Sequence, residues 1–216
     1  MTSITIPNSV TNIGNGAFRD NTQLTNIIIP DSVVSVGAAA FSGCSSLTNI
    51  TLSRYITVIG AQAFAHCSSL REITVDPENA AYSSRDGVLF NKDQTLLLQC
   101  PAGMVGSYAM PSSTIDMDIS AFAGCASLTN ITPSINITNI LFYDCTGLRN
   151  IVIPDNVTCL GQMAFMECGE LSNIFIPQSV TNIFFNAFWD CTNLTDITVD
   201  PLNPVYASRD GVLFDK

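Results

Sequence analysis

Apolar and polar residues along this chain follow a fixed order that recurs about every 23 residues. The clearest copies read approximately I-x-I-P-x-S-V-T-x-I-G-x-x-A-F-x-x-C-x-x-L-T-N and begin at Ile4, Ile27, Ile50, Ile151 and Ile174. Repetition at such a period predicts a solenoid, in which each unit stacks on the next. Because a single unit cannot bury its own apolar face, we expect the core to form between neighbouring units.

Each repeat contains one predicted strand. The segment L-x-x-I-x-I places apolar residues at alternate positions near its end, as Ile174 and Ile176 show. Alternation with period two is typical of a short strand that is buried on one side. The proline that follows, Pro177 in this copy, has no N–H to give to a ladder and therefore predicts the end of the strand.

A predicted helical turn follows the strand. In the segment G-x-x-A-F-x-x-C, the alanine, the phenylalanine and the cysteine would share one side of such a turn. Four copies begin this segment with a glycine, which we expect to supply the permissive dihedrals of a bend: Gly14, Gly37, Gly60 and Gly161. The predicted fold is an α/β solenoid whose parallel strands form a concave sheet and whose short helical turns lie on the convex side.

The pattern L-x-x-I-x-I-P-x-x-V-T-x-I-G-x-x-A-F-x-x-C resembles the BspA-like class of leucine-rich repeat over residues 1–75 and 108–199. That class occurs in surface proteins of bacteria and of protist parasites. The resemblance implies a right-handed leucine-rich-repeat solenoid at the cell surface or secreted from the cell. It also implies a non-enzymatic adhesin that binds host matrix proteins or other cell-surface proteins. The alternative is a structural spacer or self-assembling stalk that presents another domain.

A stretch that does not follow the repeat occupies residues 76–107. Its apolar runs at 88–90 and 95–98 flank polar residues and predict a β-hairpin; BspA-like arrays often carry such a D-G-V-L-[FY] hairpin. A truncated second copy occupies residues 200–216, where we expect the strand at 212–214 to lack its partner and to expose an edge. We interpret residues 1–216 as one array, a fragment of a longer protein, whose uncapped ends favour homodimers.

Composition excludes several classes of partner. The chain is 47% hydrophobic and only 12% charged, which is typical of a chain that folds. Its formal charge is −10 and it has no cluster of lysine and arginine, so we expect it to bind neither nucleic acid nor anionic membrane. No apolar run approaches the roughly 18 residues that span a bilayer, so we expect no membrane insertion in this segment.

Six cysteines recur three residues after the phenylalanine of the repeat: Cys44, Cys67, Cys125, Cys145, Cys168 and Cys191. Zinc sites use closely spaced cysteine pairs, and disulfides need Cα atoms within about 7 Å, so this spacing favours neither. We interpret the six as buried free thiols that pack as small apolar side chains. Cys100 and Cys159 lie outside this column, and their state stays open.

The sequence predicts no catalytic residue, no metal site and no cofactor. His66 adjoins Cys67, but neighbouring residues on a helical turn point about 100° apart and pair poorly. Asp116 and Asp118 form a close acidic pair, without the further oxygen ligands that calcium needs. The segment Ser-Arg-Asp-Gly at 84–87 and at 208–211 has the composition of a turn.

The candidate partner-binding residues point outward from the predicted strands or belong to one aromatic-rich repeat. Apolar residues on an exposed sheet face are typical of a contact surface, although the asparagines among them would equally satisfy backbone groups between repeats. The aromatic residues fit interface anchors, or packing beneath a neighbouring insert. The candidates are Asn26, Ile28, Thr51, Thr74, Val152, Asn173, Phe175, Thr198, Phe184, Phe185 and Trp189.

Overall fold

A computed structural model describes residues 2–216 of the chain. The described residues form two compact units. The first unit comprises the chain up to Met104 together with Ser120–Cys125, and the second comprises Val105–Ile119 and Ala126–Lys216. Among the described residues no helix is long and apolar enough to cross a bilayer.

Short strands make up both units. The strands of the first unit are β1 (Ser3–Thr5), β2 (Asn12–Ile13), β3 (Asn26–Ile28), β4 (Ser35–Val36), β5 (Asn49–Leu52), β6 (Val58–Ile59), β7 (Glu72–Val75), β8 (Tyr82–Arg85), β9 (Val88–Asn91) and β10 (Leu96–Gln99). Those of the second are β11 (Gly106–Ala109), β12 (Asp116–Met117), β13 (Leu128–Thr132), β14 (Asn139–Ile140), β15 (Asn150–Ile151), β16 (Cys159–Leu160), β17 (Asn173–Ile176), β18 (Asn182–Ile183), β19 (Asp196–Val199), β20 (Tyr206–Arg209) and β21 (Val212–Asp215).

The regular repeats pair in parallel, as the sequence predicts. In the first unit β1 pairs with β3 and β5 with β7, each residue facing its equivalent one repeat away, as Ile50 faces Ile73. In the second unit the pairs β11–β13, β13–β15 and β17–β19 continue this arrangement. In each unit these strands form two hydrogen-bonded sheets that lie side by side, and we call the two together the first sheet of the unit. Their inward isoleucines are buried except for the half-buried Ile4 and Ile197 on the outermost strands, so stacking of the repeats forms the core.

A second short strand in each repeat was not predicted. The strands β2, β4 and β6 form a parallel second sheet in the first unit, and β14, β16 and β18 form one in the second unit. They contain the last apolar residue before the glycine of the repeat, as Val36 precedes Gly37. Two-residue strands are too short for alternation to reveal them in the sequence.

The predicted helical turns are wrong, because no helix occurs among residues 2–216. The segment from the repeat glycine to the cysteine, here called the turn segment, instead alternates its amide donors. Arg19 N–H donates to Gly16 O at 3.0 Å within its own repeat, whereas Phe18 N–H donates to Ala40 O at 2.8 Å in the next repeat. An α-helix would direct all these amides along its own axis. Because every second amide of the turn segment donates to the next repeat, these amides cannot complete a helix. The fold is therefore a β-solenoid and not an α/β solenoid.

The expected role of the bend glycines is also wrong. Gly37 and Gly60 are absent from the residues with positive φ. A Cβ added at Gly60 would lie 2.3 Å from Ala38 N, and one at Gly37 would lie 2.5 Å from Asn15 N. Glycine is needed there because the backbones of adjacent repeats approach too closely for a side chain.

The phenylalanine column stacks as a continuous core within each unit. The rings of Phe18 and Phe41 are 5.2 Å apart and nearly parallel, and those of Phe41 and Phe64 are 5.7 Å apart. In the second unit Phe165 and Phe188 stack at 5.7 Å. The register read from the sequence is therefore confirmed.

All eight cysteines are free, and the six of the repeat column lie beside this core. The thiol of Cys44 donates to Phe18 O at 3.0 Å, and the thiol of Cys168 donates to Phe142 O at 3.2 Å. The prediction of buried free thiols is confirmed for five of the six, whereas Cys191 is half-buried; Cys44, Cys67, Cys168 and Cys191 also hydrogen-bond an adjacent repeat. Cys100 is buried and Cys159 is half-buried.

Three strands of the insert of the first unit pair antiparallel, since β9 pairs with both β8 and β10. The pairing of β9 with β10 is the hairpin that the sequence places there. It docks on the edge of β7, where Ile73 N–H donates to Gly87 O at 2.9 Å and Val75 N–H donates to Ser84 Oγ at 3.0 Å. Because Ser84 and Arg85 belong to β8, the turn predicted at 84–87 is confined to its last two residues.

The second copy of the insert repeats this docking and adds a strand pairing that the sequence did not predict. Ile197 N–H donates to Gly211 O at 3.0 Å, as in the first copy. The strand at 212–214 was expected to lack the return strand of a hairpin and to expose one edge; its opposite edge pairs antiparallel with β20 along its length, a pairing that the sequence did not predict. The polar residues of β20 give no alternation that would reveal a strand. The other edge of β21 carries no strand among residues 2–216, and Val212 and Phe214 are exposed where Val88 and Phe90 are buried.

Candidate functional site

The outward residues of the first sheet form an uncovered face in each unit. In the first unit Asn26 and Ile28 extend from β3, Thr51 from β5 and Thr74 from β7, and all four are exposed. Thr51 and Thr74 are direct neighbours in the ladder. The structure therefore gathers these four candidates along the parallel strands of one unit.

A cleft of about 340 Å³ lies over this face of the first unit. Asn26, Ile28 and Thr51 line it, together with Asp31 and Asp76. The carboxylate of Asp76 lies 3.4 Å from Arg54 Nε, and the same guanidinium also contacts Glu78. The cleft thus combines an apolar floor, amide and hydroxyl groups, and an acidic end, a set that suits a polypeptide better than an anion.

The first-sheet face of the second unit is more apolar. Val152 exposes 79% of its surface and Phe175 exposes 49%. Phe175 faces Thr198 in the ladder between β17 and β19, and Asn173 faces Asp196. Large apolar side chains on an uncovered sheet face are the usual mark of a contact surface.

The outward asparagines do not bridge adjacent repeats at the two positions where their bonds are seen. Asn49 Nδ2 donates to Thr48 Oγ1 at 3.3 Å, and Asn173 Nδ2 donates to Ser172 Oγ at 3.1 Å, each within its own repeat. The bridging role that the sequence suggested for asparagine belongs to the threonine before it. The threonine hydroxyl donates to a carbonyl oxygen one repeat earlier at Thr25 (2.6 Å) and Thr129 (3.0 Å), and also at Thr195 (3.3 Å), which precedes an aspartate.

The aromatic candidates do not form one cluster along one strand. Phe175 lies on β17, whereas Phe184, Phe185 and Trp189 follow β18 in the turn segment of their repeat. Phe185 exposes 75% of its surface and Trp189 exposes 58%. These residues are exposed, so they do not pack beneath a neighbouring insert, which was the alternative interpretation.

Cys67 is poorly suited to act as a nucleophile. Its thiol is buried and donates to Phe41 O at 3.1 Å. Burial, with a smaller contribution from the neighbouring Cys44, raises the pKa of the Cys67 thiol to about 12. The reactive thiolate is therefore scarce at neutral pH. Within residues 2–216 no three His, Cys, Asp or Glu side chains are grouped so that they could hold a metal ion.

Comparisons with known proteins agree with this architecture. The model of the BspA type leucine-rich repeat region matches in six copies over residues 1–92 and 113–206. Among solved structures the chain is similar to the pneumococcal vaccine antigen PcpA, at 25% identity and a TM-score of 0.84, with 94% of this chain and 51% of PcpA covered. It is also similar to a leucine-rich cell surface protein of Faecalibacterium prausnitzii, at 31% identity and a TM-score of 0.72, with 92% of this chain and 60% of that chain covered.

The chain thus spans about half the length of PcpA. No curated protein matches it significantly. A leucine-rich repeat protein of Eubacterium ventriosum shares the fold at 19% identity and a TM-score of 0.51, with 98% of this chain and 82% of that chain covered. The repeat register, the parallel sheets and the extent of the family match together establish that the chain belongs to the BspA-type leucine-rich repeat family.

Proposed function

We propose that the chain is a non-enzymatic protein-binding module of a cell-surface or secreted adhesin, which binds host matrix proteins or surface proteins of other cells. The outer face of the first sheet would provide the contact. The observation that carries this proposal is the exposure of Val152 and Phe175 on a sheet face that no other element covers. Burying such side chains against a partner would contribute roughly 1.5–3 kcal/mol each.

Relatives support the location and the class of function. The Faecalibacterium protein is named a cell surface protein, and PcpA is named a vaccine antigen. A fold does not fix a function, so the residues of the face must provide the contact. Asn173 and Thr198 lie on the same sheet as Phe175 and would give hydrogen bonds around an apolar centre, the usual composition of a protein interface.

Replacing both Val152 and Phe175 by aspartate tests the proposal. Purified extracellular-matrix proteins would be immobilised and titrated with the chain. We expect the double variant to bind at least about tenfold more weakly, with an unchanged melting temperature. Ile135→Asp provides the control, because Ile135 is also exposed in the second unit but lies in a turn outside both sheets. Equal binding by the double variant and the control would contradict the use of this face.

Self-association, as in a stalk or a homodimer, is the second candidate. The observation that favours it is the unpaired outer edge of β21, where Val212 and Phe214 are exposed. Exposed strand edges pair readily with other chains. Light scattering over a range of concentrations would reveal a dimer, which Val212→Lys should dissociate. A monomer at all concentrations would remove this candidate.

A further inference from the structure

Three consecutive repeats of the second unit carry the same two-residue pattern directly after the core phenylalanine, an apolar residue followed by an acidic one. The pairs are Tyr143–Asp144, Met166–Glu167 and Trp189–Asp190. In the first unit the apolar position holds Arg19, Ser42, Ala65 and Ala123. The pattern therefore belongs to the second unit and not to the repeat in general.

Backbone hydrogen bonds place these three pairs side by side. Asp144 N–H donates to Met166 O at 2.8 Å, and Glu167 N–H donates to Trp189 O at 2.9 Å. The core rings of the same repeats, at Phe165 and Phe188, are 5.7 Å apart. One apolar row and one acidic row consequently run next to each other across three turn segments.

The backbone conformation explains only part of the acidic row. Asp144, Glu167 and Asp190 have φ of 53°, 63° and 59°, in the left-handed region. Aspartate tolerates that region better than most residues, but glutamate has no such advantage. Gly43 occupies the equivalent position of a repeat in the first unit and has φ 74°, so an uncharged residue meets the same conformation. A charge at Glu167 is thus not required by the fold.

The apolar row extends onto the residues that precede the core phenylalanine. Phe184 and Phe185 are exposed in the same turn segment as Trp189, and Met163 is half-buried in the neighbouring repeat, where its N–H donates to Phe185 O at 3.4 Å. The equivalents of Phe185 in the first unit are Asn15, Ala38 and Ala61. We call Tyr143, Met163, Met166, Phe184, Phe185 and Trp189 the turn-segment patch.

Negative charge is concentrated in the same unit. Eleven of the eighteen acidic residues and three of the eight basic ones lie in the second unit, so it carries −8 of the formal charge of −10. The pKa of Tyr143 is raised by burial and then by the charges of Glu167 and Asp144, so the acidic row acts directly on the patch. Glu167 is half-buried and Asp190 is exposed.

We propose that the turn-segment patch docks a basic amphipathic polypeptide segment, whose apolar side chains cover Phe185 and Trp189 and whose lysine or arginine side chains face Glu167 and Asp190. This surface is separate in sequence from the first-sheet strands and goes beyond the function proposed above. Charge complementarity selects a basic partner. The aromatic and methionine content supplies the apolar contact and adapts to more than one sequence.

Trp189 is the only tryptophan of the chain and reports binding directly. The probe is a synthetic amphipathic peptide of leucine and lysine, and its matched control is a leucine–glutamate peptide. We expect the basic peptide to shift the Trp189 emission to shorter wavelength and the acidic peptide to leave it unchanged. Binding should weaken at least about tenfold in about 1 M salt, where the Debye length is about 3 Å.

Two surface variants separate the apolar contribution from the charged one. Phe185→Gln introduces the residue that the preceding repeat has at the equivalent position, Gln162, and should weaken binding about tenfold. Asp190→Asn should weaken it several-fold and reduce the salt dependence. Asp20→Asn is the matched control, because Asp20 occupies the equivalent position in the first unit with φ 58°.

Several results would overturn the proposal. These are no emission shift with the basic peptide, equal affinity for the acidic peptide, or equal loss of affinity in Asp190→Asn and Asp20→Asn. A Trp189 shift caused by neutral sugars, or by dimerisation of the chain alone, would assign the patch to a different occupant. Loss of matrix binding in the Val152 and Phe175 double variant leaves these outcomes unaffected, so the two proposals fail independently.

Discussion

The thiol of Cys67 donates a hydrogen bond to the backbone carbonyl oxygen of Phe41, one repeat earlier, at 3.1 Å. Cys44, Cys168 and Cys191 make the same bond to the phenylalanine of the repeat before them. The column of cysteines is thus a set of bonds between repeats as well as a set of small apolar side chains. The same carbonyl oxygens also accept a backbone amide, as Phe41 O does from Cys44 N–H at 3.1 Å, so the thiol supplies a second hydrogen bond that links two repeats.

Replacing Cys67 by alanine should destabilise the chain by about 2 kcal/mol, because it leaves a small cavity and removes the donor to Phe41 O. Urea unfolding followed by circular dichroism measures the change in the free energy of unfolding. Cys159→Ala is the control, since Cys159 is half-buried and outside the column. An equal effect of the two substitutions would contradict the role of the bond.

Alkaline pH should destabilise the chain through the same residue. Burial holds the pKa of Cys67 at about 12 in the folded state, above its ordinary value of 9.0. Above pH 9 the unfolded chain loses this proton while the folded chain keeps it, so the free energy of unfolding falls as the pH rises towards about 12.

The slope from Cys67 alone approaches about 1.4 kcal/mol per pH unit at most. Other groups titrate in the same range, so the measurement is the difference between the parent chain and Cys67→Ala in urea unfolding at several pH values. The parent should lose stability more steeply. Parallel curves for the two proteins would count against a raised pKa.

Gly60→Ala should cost about 3 kcal/mol, since its Cβ would lie 2.3 Å from Ala38 N, a backbone atom that cannot move aside alone. Gly14→Ala changes the same repeat position where nothing lies within 4 Å of the new Cβ. That control should be neutral or stabilising by up to about 1 kcal/mol. Thermal melts of both variants distinguish the two explanations. If the position needed glycine for its dihedral angles, both alanine variants would lose the same stability, whereas close packing affects only Gly60→Ala.

Ala39→Gly should stabilise the chain by about 0.5–1 kcal/mol. Ala39 has φ 52°, a left-handed conformation that costs a residue with a Cβ roughly 1–2 kcal/mol. Glycine avoids this cost, but its greater conformational freedom in the unfolded chain offsets part of the gain in stability. The adjacent Ala40 is buried in the core and is not among the positive-φ residues, so Ala40→Gly should destabilise by about 1 kcal/mol. Opposite signs in denaturant unfolding are the expected result.

Asn79→Ala should destabilise the first unit by about 3 kcal/mol or more. Its buried side chain donates to Ser53 O and Ile56 O and accepts from the amides of Ala81 and Tyr82, all at 2.8–2.9 Å. Removing it leaves several buried backbone groups without partners. Hydrogen exchange of the Ala81 and Tyr82 amides should accelerate in the variant. Unchanged protection there would mean that other groups replace the side chain.

One part of the candidate site could be predicted from the sequence, and another part is visible only in the structure. The outward strand positions of Ile28, Val152 and Phe175 follow from period two, because a strand alternates its faces wherever it forms. The sequence also places Phe175, Phe184, Phe185 and Trp189 in one repeat, but only the structure shows that Phe175 lies on β17 and the other three in the turn segment. Nearness in sequence says little about which element of a repeat carries a side chain. The partners of Trp189 across the turn segments, Met166 and Tyr143, lie one and two repeats away.

The sequence by itself determined the repeat register, the parallel strands and the phenylalanine and cysteine columns, since each follows from which residues one repeat must bury against the next. Only the tertiary structure decided the conformation of the turn segments. Whether the amide of Phe18 bonds within its own repeat or to Ala40 depends on a neighbouring backbone at hydrogen-bonding distance. A neighbouring backbone also explains why Gly60 must be glycine. Only the tertiary structure shows that a polar segment pairs as β20 with β21.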